Sequence, residues 1–242
     1  MPLPRTFIPS DLKSGQKIIL DEAPSHHLLQ VLRLSVGKPL VIFNNTDKEF
    51  NAKICGVSKR RVEAVIEESV SCNRESPLLI HLGQGISRGE KMDFTIQKAT
   101  ELGVRTITPL FAEHCNVKLE GSRLEKRMLH WQKVAISAAE QSGRCYVPEV
   151  LPAKSLAKWV IAAKSDLCLI FDPEATDKLN SIKKKPKSIT VLVGSEGGLS
   201  GDEIKLAKKN SFLPITLGPR ILRTETAALA AIGVLQAKWG DF

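Results

Sequence analysis

Two periods of hydrophobic and polar positions divide this chain. Up to about residue 70 the apolar positions fall in short runs or alternate residue by residue. Lys17-Ile18-Ile19-Leu20 and Pro39–Phe43 are apolar runs bounded by turn residues, and Phe50 to Val57 and Arg61 to Glu68 alternate at the period of half-buried strands. Asn44–Asp47 and Ser58–Arg60 supply the turns between them. Pro24 to Leu34 carries Leu28, Val31 and Leu32 on one face and predicts a helix. A small β-barrel closed by one helix fits this pattern. Residues 70–77 are polar and end in Pro77, so a boundary is expected there, with domains over 1–72 and 73–242.

From Leu78 the rhythm changes to strands alternating with helices. Strands are predicted over Leu78–Leu82 (ending at Gly83-Gln84-Gly85), Thr106–Phe111, Asp166–Phe171, Ser188–Val193 and Phe212–Leu217. Helices are predicted over Glu90–Leu102, Ser122–Ser142, Ser155–Ala163, Ser200–Asn210 and Thr224–Lys238. Ser122-Arg-Leu-Glu125 and Ser200-Gly-Asp-Glu203 read as capping boxes opening two of them. The alternation predicts an α/β domain with a mostly parallel sheet covered on both faces. Thr226 to Leu235 is Ala-rich and apolar on every side, which predicts a helix buried all round.

Charge adds a partner class. The formal net charge is +9 and is spread along the chain rather than gathered in a tail, which favours a polyanionic partner such as nucleic acid. Lys183-Lys184-Lys185-Pro186-Lys187 reads as a solvated loop before a strand. The five cysteines are scattered without the spacing of a zinc or redox motif, so reduced structural thiols and no metal are expected. No apolar run is long enough for a membrane span, and Met1–Arg5 lacks the pattern of a secretory leader, so a cytoplasmic protein is expected.

Candidate chemistry gathers near the C-terminus. Val191-Leu192-Val193 runs into Gly194-Ser195-Glu196-Gly197-Gly198-Leu199, and the strand ending at Leu217 runs into Gly218-Pro219-Arg220-Ile221-Leu222-Arg223-Thr224-Glu225-Thr226-Ala227. Two strand ends with approachable backbone predict one composite pocket at the C-terminal edge of a sheet. No Gly-x-Gly-x-x-Gly opens a first βα unit and no Gly-Lys-Ser/Thr closes a phosphate loop, and the missing dinucleotide fingerprint argues against a nucleotide-dependent oxidoreductase.

These two blocks resemble the cofactor motifs of the SPOUT (trefoil-knot) methyltransferases, and among them the RsmE-type enzymes that methylate N3 of a uridine in 16S ribosomal RNA of the small subunit. Leu217–Ala227 matches the family form throughout, whereas Ser195 stands where proline is usual. Arg5-Thr6-Phe7 and Val31-Leu32-Arg33, Lys91–Val104, and Ala138–Arg144 with Pro148 match further blocks. His114-Cys115 departs from the family's common Arg followed by Cys or Ser.

The resemblance implies a PUA-like barrel that bears on RNA, then an α/β domain with a deep C-terminal trefoil knot. It implies a homodimer through the knotted domain and S-adenosylmethionine as cofactor. The cofactor would be held by Leu192, Val193, Gly194, Glu196, Gly197, Gly198, Leu217, Gly218, Ile221, Leu222, Thr226 and Ala227. The RNA-facing cations would be Arg5, Arg33, Arg88, Lys91, Lys98 and Arg144. Uridine N3 must lose its proton to become a nucleophile; nearby cations favour the anion and a carboxylate can accept the proton. Arg223 and Arg144 are the candidates for the first task, Glu225 and Glu101 for the second. A non-catalytic RNA-binding protein on the same scaffold is the rival, and cofactor binding separates the two.

Overall fold

The computed structural model of the protein describes residues 3–172 and 174–242; Met1 and Pro2 of the N-terminal segment read for a leader lie outside them. The chain forms two compact units, Met1–Glu75 with Ala139–Val147, and Ser76–Ala138 with Pro148–Phe242. The first unit thus takes in a segment that sequence reading places within 73–242.

In the first unit, β1 (Arg5–Phe7), β2 (Lys17–Ile19), β3 (Pro39–Phe43), β4 (Lys48–Ser58) and β5 (Arg61–Ser71) form a sheet in the order β1-β3-β4-β5-β2. The ladder therefore has edges at β1 and β2 rather than forming a closed ring. β1, which pairs parallel with β3, is too short to show a period in the sequence. The β4–β5 hairpin turns through Lys59 and Arg60, both in the left-handed region, as a tight hairpin turn requires. Leu20, Leu28, Leu40, Ile42, Ile54 and Ile66 fill the core.

The single helix expected over Pro24–Leu34 is instead a short α-helix, α1 (Glu22–His26), that widens into a π-helical turn over His27–Val31. The widened turn breaks the 3.6-residue register, so Leu28 is buried while Val31 and Leu32 face outward. The expectation of reduced thiols also fails: Cys72 and Cys145 form a disulfide across 73 residues of sequence. No local spacing announces it, because the pair is made by Ala139–Val147 joining the first unit. Cys55, Cys115 and Cys168 are free.

The second unit holds β6 (Leu79–Gly85), α2 (Glu90–Glu101), β7 (Thr106–Phe111), most of α3 (Gly121–Ser142), β8 (Glu149–Val150), β9 (Lys154–Ser155), α4 (Leu156–Ala162), β10 (Leu167–Phe171), β11 (Ser188–Val193), α5 (Gly201–Lys209), β12 (Phe212–Ile215) and α6 (Thr224–Trp239). The strand order is β12-β10-β11-β6-β7-β8, with β9 also on β7, and every pairing is parallel. Ile80, Leu82, Leu169, Ile170, Val191 and Leu192 are wholly buried, as expected for strands covered on both faces.

Three sequence expectations shift here. β6 continues through Gly83-Gln84-Gly85 instead of turning there, because both glycines admit close neighbours. A Cβ at Gly83 would lie 2.2 Å from the Trp159 ring. α3 begins at Gly121, which puts Ser122 inside its first turn rather than at its cap, whereas the Ser200 box forms with both reciprocal bonds, at 2.9 and 3.2 Å. α6 is buried along one face only, through Thr224, Ala228, Ala231, Ile232, Leu235 and Trp239. Its other face leaves Thr226, Val234 and Ala237 exposed, so the expectation of a helix buried all round does not hold within this chain.

Candidate functional site

The parallel sheet reverses its winding at β6 and β11, which are adjacent although far apart in sequence. A crevice at the carboxyl ends of strands near such a reversal is where ligands of open α/β sheets bind. A cavity of about 760 Å³ lies there, walled by the ends of three adjacent strands, β12, β10 and β11, and by the loops that follow them.

Both glycine-bearing blocks meet in it. Val193 at the end of β11 and Gly194, Glu196, Gly197 and Gly198 in the loop after it line the cavity, as do Leu217, Gly218, Ile221 and Leu222 in the loop after β12 and Ala227 in α6. Leu192 does not: it points into the sheet core and is wholly buried. Thr226 is exposed on α6 and is also absent from the lining. Sequence reasoning missed the third wall, Phe171, Asp172 and Glu174 after β10. That tail carries no glycine, and the one available signal was that a carboxylate, Asp172, directly follows the buried strand β10.

The geometry of the first loop follows from its close neighbours. The Gly198 N–H donates to the Ser195 carbonyl at 3.0 Å, closing a turn with Gly198 at φ +74°. A Cβ at Gly197 would lie 2.6 Å from the His114 Cβ, so only glycine lets that segment pass. His114 Nδ1 lies 3.0 Å from the Gly197 carbonyl, and the Ser195 hydroxyl donates to the His114 carbonyl at 3.3 Å. Glu196 ties the same loop to the segment before α2: it accepts from the Arg88 N–H at 3.0 Å and pairs with Lys91 at 3.5 Å. Burial works against ionisation of Glu196, yet the Arg88 N–H and Lys91 prevail and hold its carboxyl below the usual range. The second loop starts with Thr216, whose hydroxyl donates to the Gly218 carbonyl at 3.0 Å, and Gly218 takes φ +123°.

The candidate catalytic residues fall into separate settings. Arg223 stands exposed on the cavity wall as the N-cap of α6. Glu225 sits in the first turn of α6, outside the lining, with its buried Oε2 lacking a hydrogen-bond partner among the described residues. Glu101 closes α2 and takes the Lys98 ammonium at 2.7 Å. Arg144 belongs to the first unit, where it is buried with its guanidinium on Glu75 at 2.6 Å.

Of the candidate RNA contacts, Arg88 and Lys91 flank Glu196, and Lys98 is held by Glu101. In the first unit Arg5 donates to Glu49 at 2.6 Å and to the Arg144 carbonyl at 3.1 Å. Arg74 shares the same Glu49 carboxylate. Arg33 is exposed with a left-handed backbone, φ +54°, after the π-helical turn.

Comparison with known proteins finds two family matches. Residues 74–236 match the family described as RNA methyltransferase domain, and residues 12–67 match the RNA methyltransferase PUA domain. The chain is 42% identical to a ribosomal RNA small subunit methyltransferase E of Buchnera aphidicola, over 99% of this chain and 98% of the relative. It is 31% identical to the protein of that name in Bacillus subtilis, covering 89% and 91%. A methyltransferase of Legionella pneumophila, solved with the cofactor SAM bound, superposes with a TM-score of 0.97 at 41% identity over the whole of both chains. A ribosomal RNA small subunit methyltransferase E of Neisseria gonorrhoeae, solved with S-adenosyl methionine, superposes at 0.93 and 40% identity, again over both whole chains.

Proposed function

The chain belongs to the ribosomal RNA small subunit methyltransferase E family, and from that premise we propose that it methylates N3 of a uridine in 16S ribosomal RNA with S-adenosylmethionine as donor. The observation that carries this is the cavity in which the two glycine-bearing loops converge over adjacent strand ends.

The cavity fits the cofactor in size and in chemistry. Its volume falls in the range of small-molecule sites, and glycines at 194, 197, 198 and 218 leave bare backbone for an adenosine to approach. Asp172, Glu174 and Glu196 place carboxylates along a wall otherwise rich in apolar side chains, as suits a ligand carrying an ammonium and a sulfonium. Bound there, the cofactor supplies an electrophilic methyl group.

The chain's own residues do the rest. Positioning dominates such an in-line displacement, and the two loops provide it. Arg223, exposed on the cavity wall, stabilises the anion left at uridine N3. Of the two candidate carboxylates, Glu101 is occupied by Lys98, whereas Glu225 retains an oxygen with no hydrogen-bond partner among the described residues. We therefore assign the proton acceptor to Glu225. Arg144 orders the Glu75 corner of the first unit.

The PUA unit, residues 1–72, grips RNA with Arg5 and Arg33, and residues 73–242 carry methyl transfer. Arg88, Lys91 and Lys98 are the candidate RNA-facing cations of the second unit. After β12 at the sheet edge the chain returns to place α6 against α2, β6 and β11, a path that accords with a trefoil knot. The exposed apolar positions of α6 accord with burial in a homodimer, and a cytoplasmic location accords with the substrate.

The test is mass spectrometry of 16S ribosomal RNA from a deletion strain, together with calorimetry of the purified protein. Loss of one N3-methyluridine and saturable S-adenosylmethionine binding are expected. Unchanged modification would refute the uridine assignment, and no binding at millimolar cofactor would favour a non-catalytic RNA-binding role.

A further inference from the structure

Near the end of β6 stands a side chain that neither motif block contains. Gln84 is wholly buried and does not line the cavity, yet its amide reaches both loops that do. Its Nε2 shares two hydrogens among three acceptors, the Thr224 hydroxyl at 2.8 Å, the Gly85 carbonyl at 3.0 Å and the Gly194 carbonyl at 3.3 Å. The Thr224 hydroxyl in turn donates to the Gly194 carbonyl at 2.5 Å. Gly194 opens the loop after β11, and Thr224 is the first residue of α6.

We propose that Gln84 is a positioning residue for the cofactor cleft, clasping the Gly194 peptide to the start of α6 and so fixing the spacing of the cleft's two loops. The assignment rests on the reading that this cleft takes S-adenosylmethionine.

Two further observations support it. The Gly194–Ser195 peptide lies directly on β6: a Cβ at Gly85 would be 2.3 Å from the Ser195 nitrogen and 2.6 Å from the Gly194 carbonyl carbon. The strand end is therefore a seat for this loop, with Gln84 as its fastener. Second, Gln84 Oε1 is buried without a hydrogen-bond partner among the described residues. A buried amide oxygen left unpaired destabilises the fold, and an apolar side chain of similar shape would avoid that penalty. Glutamine at this position thus favours the clasp over maximal stability. Thr224 adds to the same device, since its hydroxyl is at once acceptor from Gln84 and donor to Gly194.

The experiment is a double-mutant cycle on the full chain, Gln84→Leu, Thr224→Val and both together, with Thr224→Ser as the conservative variant. Affinity for S-adenosylmethionine is read by calorimetry, folding by thermal melting, and KM against kcat by methylation of ribosomal RNA. Gln84→Leu is expected to weaken cofactor binding about tenfold, the scale of one lost hydrogen bond. Its melting temperature should change little, because relief of the unpaired amide oxygen offsets the donor lost to the Gly85 and Gly194 carbonyls, and the loss should appear in KM for the cofactor rather than in kcat. The double variant should bind no more weakly than the worse single one, and Thr224→Ser should stand closer to the wild type than Thr224→Val.

Cofactor affinity of Gln84→Leu within about twofold of the wild type, or additive losses in the cycle, would overturn the assignment. Should Gln84→Leu fail to fold, Thr224→Val decides alone: unchanged affinity there overturns it. A wild type that binds no S-adenosylmethionine would instead overturn the cofactor reading, and this assignment with it.

Discussion

Gly85→Ala puts the seat of the β11 loop to a quantitative test. The added methyl would meet the Ser195 nitrogen at 2.3 Å, the Gly194 carbonyl carbon at 2.6 Å and the Ser195 Cα at 3.0 Å. Carbon and nitrogen atoms in ordinary contact stand at about 3.5–4.0 Å, so the loop must retreat by roughly 1 Å. All three obstructing atoms are backbone, and no rotamer change can relieve them. Overpacking of this kind costs about 1–3 kcal/mol, which at roughly 2–4 °C per kcal/mol for a chain of this size lowers the melting temperature by about 2–12 °C. The displaced residues, Gly194 and Ser195, are cavity wall. A misplacement of about 1 Å at a reacting site costs roughly a hundredfold, so methylation should fall far more than stability does. Differential scanning calorimetry and cofactor titration on one preparation measure both. Wild-type melting would show that β6 does not seat the loop; a lowered melting temperature with undiminished cofactor binding and methylation would show that the seat does not serve the cleft.

Arg223→Ala is expected to reduce methylation by about a hundredfold or more while leaving the fold and most of the cofactor affinity intact, as for loss of one electrostatic stabiliser; wild-type turnover in a methyl-transfer assay would remove Arg223 from the mechanism. Burial, with a smaller contribution from Lys154, depresses the His81 imidazole from 6.5 to about 4. The unfolded chain then binds the extra proton first as pH falls, so this stabilisation is full above about 6.5 and is lost towards pH 4. About 2–3 kcal/mol should disappear between pH 7 and 4.5, seen as a drop in urea midpoint that His81→Gln flattens. Reducing the Cys72–Cys145 disulfide opens a loop of 73 residues and should cost about 2–4 kcal/mol, read as a lower melting temperature that Cys72→Ser reproduces without reductant. Exclusion chromatography with light scattering tests the proposed homodimer through the open face of α6: a dimer is expected for the wild type and a folded monomer for Val234→Lys, whereas a dimeric Val234→Lys would move the interface elsewhere.

Much of the parallel sheet was legible because its strands are buried on both faces and its helices carry a period and stops. Ser200 and Glu203 are a case in which the local letters suffice, and both reciprocal bonds form. Features made at a distance left little trace. The disulfide joins residues that no spacing relates, and β1 is three residues long. Gly83 and Gly85 look like a turn in the sequence, yet they are strand positions emptied of side chain so that Trp159 and the Gly194–Ser195 peptide can press against them. The same ambiguity hid Gln84, whose neighbours in sequence say nothing of Gly194 or Thr224. α6 was misread for another reason: an all-apolar composition does not say which faces of a helix its own chain covers.

The two departures from the family pattern are informative together. Ser195 replaces a usual proline, and His114 stands where arginine is common, 81 positions earlier. Taken singly, each weakens the resemblance near the site. In the folded chain they touch: the Ser195 hydroxyl donates to the His114 carbonyl, His114 Nδ1 lies against the Gly197 carbonyl, and the bare Cα of Gly197 admits the His114 Cβ. A prolyl ring would fix φ at position 195 but could not donate to that carbonyl, whereas serine leaves φ freer and adds the bond. Rigidity lost from the backbone is thus offset by a tie to the segment after β7. Residues in direct contact are expected to couple rather than act independently, so these departures are one local rearrangement of the loop's support. The cavity wall they support, Gly194 to Gly198, keeps its turn and its glycines.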